Sequence, residues 1–89
     1  MPNIELHGYG KKAAATLKNK IRAALSTSPE PGEIVTTVIP SIVEDLTGKK
    51  MPFLRVISSP DELADLKKRL KPLGEDIEVL PLGEWIPKK

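Results

Sequence analysis

Two strand–helix–strand segments follow one another in this chain, residues 3–39 and 53–80, and together they take up most of its 89 residues. The first opens on Pro2-Asn3-Ile4-Glu5-Leu6-His7-Gly8, where apolar and polar residues alternate as in a half-buried strand. A helix is expected from about Lys11 to Leu25, because Ala14, Leu17, Ile21, Ala24 and Leu25 recur on one helical face, with Lys11, Lys18 and Arg22 opposite them. That basic stripe reads as a solvated face. The stretch from Ser26 to Gly32 contains two prolines and cannot continue the helix. Ile34 to Val43 reads as a second strand interrupted by Pro40, which places it at a sheet edge or a bulge. A polar turn over residues 44–50 leads into a third strand, Pro52 to Ser58, and the two strands are expected to pair as a hairpin with a long tip. Ser59, Pro60 and Glu62 fit a capping box for a second helix, whose buried face is Leu63, Leu66 and Leu70. That helix should stop near Lys71, ahead of Pro72 and Gly74. Asp76 to Leu80 alternates as a fourth strand. In the tail from Leu82 to Lys89, Trp85-Ile86-Pro87 is apolar enough to lie over the chain's own core or to dock on a neighbouring subunit.

Paired units of this kind predict one α+β domain over residues 1–89, a βαββαβ sandwich. A four-stranded mixed sheet would carry both helices on one face through right-handed crossovers. The other face would present Asn3, Glu5, His7 and Arg55, a polar set that must meet water or a partner. A domain of this size buries only a little over roughly 60% of its unfolded surface. Tyr9, Phe53 and Trp85 are its only aromatics, so self-association is a natural way to cover more apolar area. The absence of cysteine rules out disulfides and thiolate chemistry, and a single His7 argues against a histidine metal cluster. No apolar run approaches the ~18 residues of a membrane span, and Met1 to Lys12 does not read as a signal peptide, which leads to the expectation of a cytoplasmic protein without membrane partners. The net charge of +2 is too small to point to nucleic acid. The lack of Gln and Cys, beside abundant Lys, Glu and Pro, resembles thermophile composition.

Pro2 carries the chemical interest. Proline has no N–H to give a sheet, a loss tolerated at a strand's first residue. Small penultimate residues normally permit removal of the initiator methionine, and the Pro2 nitrogen would then be a secondary amine. A free α-amino group titrates at about 7.7 to 8.0, and burial lowers that value, so the amine would be a general base suited to neutral pH. With Met1 retained, the same nitrogen is an unreactive amide.

A proline after the initiator Met1, heading the first strand of a paired βαβ arrangement, resembles the tautomerase superfamily, which includes oxalocrotonate tautomerase and macrophage migration inhibitory factor. Val38-Ile39-Pro40-Ser41, the turn with Gly48, and Met51-Pro52-Phe53-Leu54 are similar to the matching region of the latter branch. The resemblance implies a homotrimer without cofactor, in which Pro2 moves a proton within a small enol or keto acid. Oriented donors would hold the carboxylate and the developing oxyanion. If the third strand lies antiparallel beside the first, the backbone of Ser58 and Ser59 comes near Pro2, and Arg55 falls deeper, near His7. The cation that some members supply after the first strand corresponds to Lys12, with Lys11 adjacent. The arginine that some place in the second strand is missing from Ile34-Val35-Thr36-Thr37-Val38, which counts against oxalocrotonate-like diacids.

Other readings compete with this one. The same order of elements describes ferredoxin-like modules, and a non-catalytic oligomeric binding or regulatory protein would require no special residue. Leu6-His7-Gly8 before a basic helix is similar to the opening of small MutS-related domains, but the second glycine-rich motif is lacking. Gly48-Lys49-Lys50 has neither the upstream glycine nor the following helix of a phosphate loop. His7 reads as a polar surface or interface residue. Arg55 reads as a cross-strand partner of Glu5 or Glu78, with substrate binding as its alternative role.

Overall fold

The computed structural model describes residues 2–27 and 31–81. Its elements are β1 (Asn3–His7), α1 (Lys11–Ala24), β2 (Val35–Ile39), β3 (Phe53–Ser58), α2 (Pro60–Leu70) and β4 (Ile77–Pro81), with short 3-10 turns before β2 and after α2. The four strands form one mixed sheet in the order β2-β1-β3-β4. β1 is parallel to β2 and antiparallel to β3, and β4 is parallel to β3. Each βαβ unit is therefore direct: its two strands are neighbours, unlike the split βαβ of ferredoxin-like folds, in which another strand intervenes.

Period-two alternation along β1 and β3 sorts the side chains. Ile4, Leu6, Leu54 and Val56 are fully buried and meet Ala14, Leu17, Ile21 and Leu25 from the α1 side and Leu66 and Leu70 of α2 in one core. Both helices thus cover the same sheet face. Helix α1 forms although Gly10 offers no side-chain cap and its first turn holds two lysines and no acid. Its stability comes from the packed face rather than from its ends. Helix α2 has complementary ends, with Pro60 at its start, Asp61 and Glu62 in its first turn, and Lys67, Lys68 and Arg69 in its last. Gly74, at φ 74°, turns the chain out of the following 3-10 turn toward β4.

Two expectations need correction. The second and third strands do not pair as a hairpin, because β1 lies between them. The direct crossover lays β2 along one side of β1, leaving only the other side for β3. The connecting segment makes a small ladder of its own, in which Glu44 bridges Lys50 and the Met51 N–H donates to the Val43 carbonyl at 2.9 Å. The second strand also ends at Ile39, ahead of Pro40, and does not run on to Val43. Its place at the sheet edge agrees with the proline signal. The apolar tail from Leu82 to Lys89 and residues 28–30 of the first loop lie outside the described residues. No helix of the described residues is long and apolar enough to cross a membrane.

Candidate active site

Pro2 sits just ahead of β1 and is buried. Its carbonyl accepts a 2.9 Å hydrogen bond from the Val35 N–H, so β2 holds the residue from one side. On the other side, β1 pairs with β3 from Asn3 opposite Ile57 to His7 opposite Phe53. Continuing that register by one residue sets Pro2 opposite Ser58. The alternation that turns Ile4 and Leu6 toward the helices gives Pro2 the same side, and Leu54, Val56 and Ser58 share it. Pro2 and Ser58 are thus neighbours on the helix-facing side at one end of the sheet, with Ser59 next in the chain.

Ser58 is the one polar residue fully buried among the described residues. Its hydroxyl donates to Glu62 Oε2 at 3.3 Å, and that of Ser59 donates to Glu62 Oε1 at 3.3 Å. The expected capping box is changed in detail. The Ser59 carbonyl accepts from the Glu62 N–H at 3.0 Å, but no side chain caps the helix, and Glu62 reaches back to the two hydroxyls rather than to a backbone N–H. Sequence reading saw Glu62 only as a cap; the pair of serines just before it was the available signal that its carboxylate would be held.

The remaining candidates do not gather around Pro2 within one chain. Lys11 and Lys12 begin α1 beyond the far end of β1, and roughly 17 Å of strand separates Pro2 from His7. Lys12 instead lines a hollow of about 440 Å³ with Tyr9, Thr16, Lys20 and Glu75. There the Tyr9 hydroxyl donates to Glu75 at 2.7 Å, and burial together with this carboxylate pushes the phenol well above its ordinary range. A second hollow of about 440 Å³ runs between α1 and β2 on the Pro2 side of the sheet, lined by Lys18, Ile21, Arg22, Leu25, Ile34 and Thr36.

Arg55 belongs to the uncovered sheet face. It stands opposite Glu5 and near His7, as expected, with Nη1 3.5 Å from Glu5 Oε1 and Nε donating to Glu78 Oε1 at 2.8 Å. His7 Nε2 lies 2.8 Å from Glu5 Oε1, and its ring stacks on Phe53 with centroids 4.7 Å apart. The Arg55 guanidinium lies 5.5 Å from the centre of the Phe53 ring. Thr37 on β2 donates to Asn3 Oδ1 at 3.1 Å. The face anticipated as polar therefore carries a chain of side chains from His7 through Glu5 and Arg55 to Glu78, with the Asn3–Thr37 pair as a separate bond. No group of three or more potential metal-ligating side chains occurs among the described residues.

No family model matches this chain, and no curated protein does. Among solved structures, it is similar to a domain of unknown function (DUF1904) from Sebaldella termitidis, at 19% identity over 94% of this chain and 91% of that one, with a TM-score of 0.49.

Proposed function

We propose that this chain is a cofactor-free keto–enol tautomerase of small enol or keto acids, working as a homotrimer in the cytoplasm, with the amine of Pro2 as general base once Met1 is removed. The observation that carries this reading is the position of Pro2: buried, held by β2 through its carbonyl, and level with the end of β3 where Ser58 and Ser59 lie. The direct βαβ units favour it over a ferredoxin-like module. In the keto-to-enol direction the amine would take a proton from the carbon beside the carbonyl. The electron pair of that C–H bond would form the C=C bond while the carbonyl pair moves to oxygen. The ammonium then returns a proton to that oxygen, so nothing is oxidised or reduced. Backbone N–H groups near Ser58 and Ser59 are the local candidates for meeting the developing oxyanion.

Separation of Lys11 and Lys12 from Pro2 supports the oligomer, since a lysine could meet the same substrate only from another subunit. Lysine would act there as a point charge, without the fork geometry of arginine. Arg55, already paired with two carboxylates, is the weakest of the substrate-binding candidates. The test is the rate of ketonisation of a simple enolpyruvate by protein whose intact mass shows Met1 removed, beside Pro2→Ala prepared the same way. A rate above buffer that collapses in the variant is expected; equal rates would overturn the reading.

A second reading is a non-catalytic oligomeric binding module. It is favoured by the uncovered sheet face, where paired charges surround Phe53 and where Val35 and Leu80 lie exposed at the two edges. Equal ketonisation rates together with a stable oligomer would select it.

A further inference from the structure

We propose that Glu62 is a positioning residue for Pro2: held by the buried hydroxyl of Ser58, its carboxylate raises the proton affinity of the Pro2 amine. This rests on the reading of Pro2 as a free amine and adds to it the group that tunes that amine. Ser58 is the exception among the buried residues of the sheet. Every other buried side chain that β1 and β3 contribute to the core is aliphatic, namely Ile4, Leu6, Leu54 and Val56. A hydroxyl at such a position costs stability unless it finds a partner, and this one donates to Glu62 at 3.3 Å. Ser59 takes the other carboxylate oxygen at 3.3 Å, so both oxygens of Glu62 are held at the sheet end where Pro2 lies.

Opposed residues on one face of an antiparallel pair have their Cβ atoms about 4.5–5.5 Å apart. One hydrogen bond beyond Ser58 therefore places the Glu62 carboxylate within roughly 6–9 Å of the Pro2 ring. At that range, near the protein surface, a negative charge favours the ammonium form by about 0.5–1 pKa unit. Desolvation of a buried amine acts in the opposite sense, so Glu62 would keep the amine from becoming too weak a base for its task. Other charged groups on the elements that meet at this end are Lys18 and Arg22 of α1, Glu33 just before β2, and Asp61 and Arg69 of α2, Arg69 being paired with Asp65 and donating to the Thr27 hydroxyl at 2.7 Å. Among the described residues, none of these is hydrogen-bonded to a residue of β1, β2 or β3, whereas Glu62 is bonded to Ser58.

The experiment is an NMR titration of the Pro2 nitrogen in Met1-free protein, comparing the parent with Glu62→Gln, Asp61→Asn and Ser58→Ala. Glu62→Gln should lower the amine pKa by about 0.5–1 unit and move the lower limb of the activity–pH profile equally. Asp61→Asn should move it by less than half as much, and Ser58→Ala should fall between the two. Glu62 is exposed, so its glutamine variant should fold even if Ser58→Ala does not. An unchanged pKa in Glu62→Gln, or equal drops in Glu62→Gln and Asp61→Asn, would overturn the proposal. A shifted pKa in a protein without ketonising activity would sustain the coupling and remove the tautomerase reading. Activity with an unshifted pKa would do the reverse.

Discussion

Tyr9 and Glu75, 66 positions apart in the chain, are joined by a 2.7 Å hydrogen bond that ties the turn after β1 to the turn before β4. Burial and the neighbouring carboxylate raise the phenol's pKa, so the neutral phenol is favoured in the folded state. Its contribution to stability is whole below the unfolded-state value of about 10 and declines as pH rises from there toward the folded-state value. Tyr9 is the only tyrosine, so tyrosinate absorbance reports it alone. No tyrosinate should form near pH 10 until the protein unfolds, and Tyr9→Phe should cost about 1 kcal/mol in denaturant unfolding at neutral pH and make the alkaline decline shallower.

Gly8 has φ of 81°, and a Cβ added there would lie 3.0 Å from Cβ and Cγ2 of Val43. Gly8→Ala combines a disfavoured backbone with a side-chain collision and should destabilise by more than about 1 kcal/mol. Gly10→Ala is the control, because nothing lies within 4 Å of its added methyl group. Chemical unfolding of the pair should show the larger loss at Gly8 and at Gly10 only the smaller cost of alanine at a helix N-cap.

Leu54 is fully buried at the centre of the sheet, between β1 and β4. Leu54→Ala should cost about 2–5 kcal/mol by lost transfer energy and residual cavity. Leu46→Ala, at a fully exposed position on the β2–β3 connection, should stay within about 0.5 kcal/mol. Urea midpoints for the two variants check both.

Asp45 accepts from the Thr47 hydroxyl at 2.7 Å and from the N–H groups of Thr47 at 2.8 Å and Lys49 at 3.1 Å, which lower its carboxyl pKa. The turn's order is therefore expected to be complete above the ordinary aspartate value of about 3.9 and to fade as pH falls through the lower folded-state value. Amide chemical shifts of Thr47 and Lys49 should titrate together in that acid window, and Asp45→Ala should abolish the transition.

A trimer built on the uncovered sheet face would desolvate Phe53, which lies beneath His7 and Arg55. Phe53→Asp would bury an unpaired charge in such an interface and should yield monomers with helical content retained. Light scattering and far-ultraviolet circular dichroism on the same sample test this; an unchanged oligomer would assign the interface elsewhere.

Much of this architecture was legible from local signals. Ile4 and Leu6 announced their strand by alternation, Leu17 and Ile21 their helix by spacing, and Pro60 with Glu62 the start of α2. What local pattern does not encode is which strand lies beside which. Pro40 correctly marked an edge, but the proximity of residues 34–39 and 53–58 in sequence suggested a hairpin that β1 prevents. The neighbourhood of Pro2 and Ser58 could be anticipated only on the condition that β3 runs antiparallel to β1, which it does. The Tyr9–Glu75 bond left no trace in spacing, because it depends on where two turns meet after the sheet has assembled.

An inner strand that is synthesised first has a consequence for timing. β1 leaves the ribosome before either of its neighbours exists: Asn3 must wait for Val35 on one side and Ile57 on the other. Such distant contacts slow folding, because the intervening chain must first give up its freedom. Until the third strand has been made, β1 lacks the partner on one of its two sides, and the sheet cannot close around Leu6.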